Sequence, residues 1–430
     1  MSVGAAGDAG DAGVVVLVVA LSVTVALVMV VGACGAAGPP VALLVVTYAA
    51  MIVVRVRTTW MSCWRSASIE FSFTLSSAFL SVYHIDLPLS IALLCATAYN
   101  ALMTQSPKRI AVIGPTSSGK SAIAIDLAHH FAARFRGGAA VIGADSRQVY
   151  RFMDIGSGKE PGTLVTDPSL PPHLRTYYDC AGVRHYMIDI VAPRTPYGAG
   201  QFITRGQRIL RALDDSDTLP IICGGTHFWV QTLLENTPLP PVAPNTALRR
   251  RLAHTSAAAL MAHLRRMDPA RARALNTPSE RTNRRRLIRA IEIATARGSV
   301  PHITPAPPRT DTTLLLAVIP EQDVLRQRIA TRLRARLRDG MLDEVQTLHT
   351  VHRVPWTRLE AFGLEYRWCA RYLRGQCTMT QMRANLERDI LRFAKRQLLW
   401  IRRWERAGAH IHHITTRTHA RRYVRAFLAS

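Results

Sequence analysis

The stretch Gly114-Pro-Thr-Ser-Ser-Gly-Lys-Ser121 fits the pattern GxxxxGK[ST], with the apolar run Ile110-Ala-Val-Ile113 before it and an apolar-periodic segment, Ala122 to Phe131, after it. That strand–loop–helix context is what gives the pattern chemical meaning. Glycines let backbone N–H groups turn inward around an anion, and the helix N-terminus adds its positive end. Lys120 reaches a distal phosphate, and the Ser121 hydroxyl is placed to ligate Mg²⁺. Gly114, Pro115, Thr116, Ser117, Ser118, Gly119, Lys120 and Ser121 are therefore expected to cradle a diphosphate or triphosphate, with Mg²⁺ as cofactor. The motif does not say which. An ATPase ordinarily shows a later apolar strand ending in Asp to hold the metal. Here the next such strand, Ala140 to Gly143, runs into Ala144-Asp145-Ser146-Arg147-Gln148-Val149-Tyr150, where the Asp has polar, planar neighbours.

Positioning these groups requires a sheet. Strand-like runs at Ile110–Ile113, Ala140–Gly143 and Pro220–Cys223 alternate with helical segments at Lys120 to about Phe135 and Thr226 to Glu235. Short apolar strands alternating with helices imply a parallel sheet covered on both faces, so the fold class expected is α/β with a P-loop NTPase-like core. From about Pro238 the composition shifts to Arg, Ala and Leu at helical spacing, broken by Pro269, Pro278 and the Pro301–Pro308 cluster, which predicts an inserted helical domain. Thr313–Val318 then reads as a returning strand, and Gln322–Thr350 and Gln381–Arg403 as long basic helices. The resulting organisation is 1–102, an apolar N-terminal segment; 103–238, the first part of the core; 239–310, the helical insertion; and 311–430, core completion with basic C-terminal helices.

The chain carries 54 Lys and Arg against 29 Asp and Glu, a formal charge of +25. Residues 1–102 hold three arginines and four acids, so the positive charge lies in the remainder. A basic, arginine-rich surface points to a polyanionic partner, RNA as readily as DNA. The cysteines are scattered singly, which argues against a disulfide framework or zinc site and for a reducing, cytoplasmic compartment. His410, His412 and His413 lack an acidic or cysteine partner at ligand spacing and read as a solvated basic strand. Uncharged Val14–Val31 and apolar Val41–Val54 leave two readings of the N-terminal segment: membrane contact by a hairpin over residues 14–54, anchored by Arg55, Arg57 and Arg65, or an extension upstream of a natural start at Met103. Leu87–Met103 is a third, weaker apolar run. Asp8 and Asp11, in place of a basic leader, exclude a cleaved secretory signal.

Several segments taken in order resemble the tRNA dimethylallyltransferase family: the Gly114 loop, Asp145-Ser-Arg-Gln-Val-Tyr-Arg151, Met153-Asp-Ile-Gly-Ser-Gly-Lys159, and His185-Tyr-Met-Ile-Asp189 against that family's HHLID. Gly224-Gly-Thr226, Arg286-Leu-Ile-Arg-Ala-Ile-Glu292, and Ala394-Lys-Arg-Gln397 with Trp400 continue the match. The resemblance implies that the amine of an adenosine beside a tRNA anticodon attacks dimethylallyl diphosphate while diphosphate leaves, and that the insertion domain binds the tRNA anticodon stem-loop. Asp145 would be the general base and Thr116 a hydroxyl near the reacting groups. Arg328 and Arg332, at i, i+4 spacing, would add guanidinium donors to the departing oxygens. Ser146, Arg147, Gln148 and Thr226 would contact the extruded adenine, and Arg249, Arg285, Arg286 and Arg289, beside Arg284, the tRNA phosphates. The expected protein is a monomer.

Departures from the family pattern are Ser157 in its GT[AG]K segment, His227 where a glycine usually follows Gly-Gly-Thr, Asn283 for Asp, and Ile390 for Thr. No zinc-finger tail follows. Phe228, Trp229 and Tyr150 could be stacking platforms, although aromatics beside strands are more often core. Two other classes compete: an ATP-dependent kinase or ATPase, which would turn over ATP without a prenyl donor, and a membrane-tethered RNA-binding module in which Asp145 is dispensable. A prenyltransferase acting on free adenine nucleotides is the sister reading, disfavoured by the insertion and the basic surface.

Overall fold

The computed structural model of the chain describes residues 107–430, apart from 236, 238, 276 and 303–306, together with the backbone of strands within residues 2–53. It divides into two units, 1–106 and 107–430. In the first, the backbone of Ser2–Ala5, Val14–Leu21, Val25–Gly32, Ala42–Thr47 and Met51–Val53 forms an antiparallel meander. These valine-rich runs are extended, as β-branched residues favour. Among the described residues no helix is long and apolar enough to cross a membrane. Leu87–Met103 lies outside the described residues.

The second unit is built on an eight-stranded sheet. Its strands are β1 (Arg109–Ile113), β2 (Ala139–Gly143), β3 (Thr163–Thr166), β4 (Thr176–Cys180), β5 (Val183–Tyr186), β6 (Leu219–Gly224), β7 (Thr313–Val318) and β8 (Ile411–Ile414). They lie in the order β8-β7-β1-β6-β2-β5-β4-β3, parallel from β8 through β5. The last two pairings, β5 with β4 and β4 with β3, are antiparallel. Strands β6 and β7 are buried along their whole length, as expected of parallel strands covered on both faces.

Alternation decides what covers each face. Ala111 and Ile113 of β1 point into one core with Ile142, Ile222, Phe202 and Trp229, while Ile110 and Val112 point into the other with Val141, Leu127, Phe131 and Phe427. The first core is closed by α2 (Ala199–Asp215), α3 (His227–Leu234) and the C-terminal helical layer, the second by α1 (Lys120–Phe131) and a C-terminal helix.

The insertion is a cluster of short helices, α4 (Thr246–Arg251), α5 (Ala257–Met267), α6 (Pro269–Ala274), α7 (Pro278–Arg281) and α8 (Arg284–Arg297), with its own core of Leu248, Leu260, Leu264, Leu287 and Ile291. Each start carries an N-cap acceptor: Asn245, Ser256, Asp268, Thr277 and Asn283. Asn283 accepts from the Arg286 N–H at 3.2 Å, so the departure noted there keeps a cap. Ile390 likewise fits, buried in the main core.

Following β7 come α9 (Gln322–Arg338), α10 (Met341–Thr350), α11 (Trp356–Phe362), α12 (Leu364–Leu373), α13 (Met379–Arg406) and α14 (Arg417–Ala429). The segment read as one helix from Gln322 to Thr350 is two, because Gly340 adopts a left-handed φ of 98° between them. Helix α1 ends at Phe131 and gives way to a 3₁₀ turn over Ala132–Arg134, short of the expected Phe135. The histidine-bearing tail is an edge strand, paired with β7 in parallel. His413 bonds to Glu405, and no cluster of metal-ligating side chains stands among the described residues.

Glu292 ties the first and last helices of the insertion together. Buried on α8, it accepts from Arg249 Nε at 2.6 Å and Nη2 at 2.8 Å, from Arg289 at 3.1 Å and from the Asn245 N–H at 2.9 Å. Burial alone would raise its pKa, but the donated hydrogen bonds, Arg249 first, hold it below the usual value of 4.5. A carboxylate depressed in the folded state stabilises above the unfolded pKa and loses that contribution as pH falls through the folded one. Glu292→Gln is expected to cost about 1–3 kcal/mol at pH 7, less than a wholly buried pair because the arginines are part-exposed. The deficit against the wild type should shrink below pH 4.5, as followed by denaturant unfolding at both pH values.

Candidate active site

The C-terminal ends of β1, β2 and β6 open into one cavity of about 1620 Å³. Gly114 leaves β1 with φ 158°, and a Cβ there would stand 2.6 Å from the Val318 carbonyl, so only glycine lets the loop pass β7. Ser117 at φ 61° and Gly119 at φ 92° complete the tight turn that starts α1 at Lys120, and a helix N-terminus of this kind offers N–H groups to an anion. Ser118 Oγ is buried without a hydrogen-bond partner, a hydroxyl left over inside the anion loop. Lys120 lies 3.4 Å from the Pro115 carbonyl. Burial lowers its pKa, opposed by nearby Cys223, Asp145 and Glu160. A desolvated ammonium facing a cavity gains most when an anion arrives.

Asp145 follows β2 and accepts from the Arg147 N–H at 2.8 Å, a local turn that orients the carboxylate. Thr226 Oγ1 accepts from the Ser146 N–H at 3.0 Å, and the Thr226 N–H donates to the Ala144 carbonyl at 3.1 Å. These two bonds join the Asp145 segment to the turn before α3. Gln397, from the middle of α13, spans the other side. Its Oε1 accepts from the Thr116 N–H and its Nε2 donates to the Gly225 carbonyl, both at 2.8 Å. A Cβ on Gly225 would sit 2.5 Å from that Nε2, so the glycine makes room for the clasp.

Arg328 and Arg332 line the cavity, but each also spends a donor on the backbone: Arg328 Nη1 on the Ser118 carbonyl and Arg332 Nη2 on the Gly158 carbonyl, both at 3.2 Å. Desolvation by burial, then neighbouring Arg336, pulls Arg332 down to about 10. Gln148 donates to the same Gly158 carbonyl at 3.0 Å. Arg147, its pKa lowered by burial, lies over the Phe362 ring at 5.7 Å.

Thr116, Ser117, Gly119, Lys120, Ser121, Asp145, Ser146, Arg147, Gln148, Thr226, Arg328 and Arg332 are thus brought together. The four insertion arginines are not. Arg249 and Arg289 hold Glu292, Arg286 pairs with Glu280 at 3.4 Å, and Arg285 is exposed on α8.

Sequence reasoning missed the support beneath the Met153–Lys159 loop. Glu344 accepts from the N–H groups of Asp154, Ile155 and Gly156 at 2.7, 2.6 and 3.0 Å, and from the Tyr366 hydroxyl at 3.0 Å. Lys159 is buried against Asp189, Asp154 and the Tyr150 carbonyl. Glu344 lies in an ordinary amphipathic helix and nothing in its neighbours marks it. Gln397 had a signal, the Ala394-Lys-Arg-Gln397 segment, but not a role.

Mg²⁺ takes hard oxygen ligands and usually few of them from protein. Ser121 offers a hydroxyl on the cavity, a ligand that fits the ion once phosphate oxygens complete its shell.

A phosphate loop at the carboxyl end of a parallel sheet, with a carboxylate at the end of β2, the next strand but one, defines an α/β enzyme of the P-loop class. The comparisons narrow this. The family model described as IPP transferase matches residues 148–404. The tRNA dimethylallyltransferase 1 of Geotalea uraniireducens is 36% identical over 308 residues, 70% of this chain and 91% of that protein. That of Syntrophus aciditrophicus is 37% identical over 304 residues, covering 70% and 92%. The crystal structure of the full-length tRNA isopentenylpyrophosphate transferase from Bacillus halodurans superposes with TM-score 0.51 at 26% identity, covering 75% of this chain and 97% of that one. A solved eukaryotic dimethylallyltransferase acting on tRNA shares the fold, with TM-score 0.56 at 22% identity over 72% of this chain and 74% of that one. The chain belongs to the IPP transferase family.

Gln397→Leu keeps the packing of α13 but strands the Thr116 N–H and the Gly225 carbonyl. A loss of about 1–3 kcal/mol in unfolding free energy is expected. Inorganic pyrophosphate should bind at least tenfold more weakly by calorimetry, because the loop loses its brace.

Proposed function

We propose that this chain transfers a dimethylallyl group from dimethylallyl diphosphate to the exocyclic N6 of the adenosine 3′-adjacent to a tRNA anticodon, releasing diphosphate. The observation that carries the reading is the meeting of an anion loop with Asp145 and the Thr226 turn in one cavity. Its size suits a prenyl diphosphate and an extruded base together. The N6–C1 bond forms as the C1–O bond breaks, the bonding pair leaves with diphosphate, and the N6 proton passes to Asp145. Charge grows on the departing oxygens, where Lys120, the loop amides and the remaining donors of Arg328 and Arg332 stand ready. Ser121 would hold Mg²⁺, which when bound neutralises diphosphate charge and leaves Asp145 to accept the proton. Thr116 keeps its hydroxyl beside the reacting groups while its N–H is held by Gln397.

Gln148 and Ser146 present amide and hydroxyl groups to the edge of a base removed from its stack. Exposed Arg284, Arg285 and Arg286 on α8 would position the anticodon stem through phosphate contacts, and Arg249 and Arg289 shape that face through Glu292. The reading includes a monomer working in the cytoplasm, a reducing compartment that the singly scattered cysteines suit.

Incubating the protein with unmodified tRNA, Mg²⁺ and labelled dimethylallyl diphosphate should label the tRNA and release diphosphate. Asp145→Ala should lower the rate by about 10²–10⁴-fold with an unchanged melting temperature. Brisk ATP hydrolysis with no transfer from the isoprenoid donor would overturn the assignment in favour of an ATPase.

A further inference from the structure

Of the three aromatic residues that could have been stacking platforms, two are core. Tyr150 and Trp229 are buried, Trp229 stacked on Phe202 at 4.3 Å. Phe228 is 49% exposed. Among the described residues, Phe228 and Val324 are the exposed large apolar side chains that line the cavity, and of these only Phe228 has a ring. It stands in the first turn of α3, directly after the Thr226 turn that is tied to Ser146 and Ala144, so its backbone is fixed next to the reacting groups. Helix α13, packed against α3 through the Trp400–His227 stack, brings Arg392, Phe393 and Arg396 to the same lining, with the Arg396 guanidinium 5.9 Å from the Phe393 ring.

An exposed ring and arginines lining one cavity are matched by a nucleobase joined to a phosphate. Extruding the target adenosine leaves its neighbour in the loop without a stacking partner, a cost of a few kcal/mol. We propose that Phe228 takes up the face of a base next to the extruded adenosine, with Arg396 held on the adjoining phosphate, and so positions the loop for transfer. This rests on the tRNA reading above and names a positioning residue within it. Stacking needs only a π-face, so the ring contributes affinity without charge.

The test is equilibrium binding of an anticodon stem–loop RNA, with parallel RNAs made abasic at the 5′ or the 3′ neighbour of the adenosine. Phe228→Ala is expected to weaken binding of the intact RNA roughly tenfold or more. Phe228→Trp should restore it, and the dependence on salt should not change. Arg396→Ala should flatten that salt dependence. The penalty of Phe228→Ala should vanish on one of the two abasic RNAs. Undiminished affinity in Phe228→Ala overturns the proposal, as does a penalty that persists on both abasic RNAs. A defect confined to dimethylallyl diphosphate binding also overturns it and gives the ring to the donor. Wild-type protein that bound no RNA at all would instead remove the functional reading, a separate outcome.

Discussion

Gln397 sets the spacing of the active site. One buried amide accepts from the loop that would hold the leaving diphosphate and donates to the turn that would meet the incoming base. A carboxamide is suited to this because it carries an acceptor and a donor on one rigid plane. The two bonds fix the distance between elements more than a hundred residues apart in sequence. The reach of Lys120 toward an anion and the approach of an amine to Asp145 both assume that distance.

Around this clasp the structure spends polar groups freely on backbone. Arg328 and Arg332 brace carbonyls of Ser118 and Gly158 while facing the cavity, Glu344 gathers three consecutive N–H groups, and Lys159 is locked between two carboxylates. Such commitments keep donors in place before substrate arrives, which is how fixed dipoles stabilise developing charge without reorganising. The arginines therefore serve twice, as buttresses of the loops and as part of the positive lining. The insertion follows the same economy, with Arg249 and Arg289 satisfying one buried carboxylate and α8 left to present its exposed arginines.

His227 shows how a departure from the family pattern is absorbed. The ring is 4% exposed, stacked on Trp400 at 5.1 Å, and held neutral by burial, with its pKa lowered to about 3. A neutral imidazole adds no charge beside Lys120, and the Trp400 stack accommodates the larger side chain even though its Nε2 is buried without a hydrogen-bond partner. Trp400 in turn meets Trp404 edge to face, and the Trp404 Nε1 bonds Glu235 at 2.8 Å.

Local pattern alone determined the phosphate loop, the parallel strands β1, β2, β6 and β7, the helical insertion and the identity of the chemical groups. Each of these is written in residues close together, as glycine spacing, apolar runs and helical periodicity. The tertiary structure decided the rest. Gln397, Glu344 and Glu292 act by meeting partners distant in sequence, and no local pattern announces which carbonyl or N–H a side chain will find. The break at Gly340, the edge strand β8 and the β3–β5 end of the sheet depend on pairing and packing that propensity does not encode. Phe228, Trp229 and Tyr150 looked alike in the sequence; only burial separated two core rings from the one that faces the cavity.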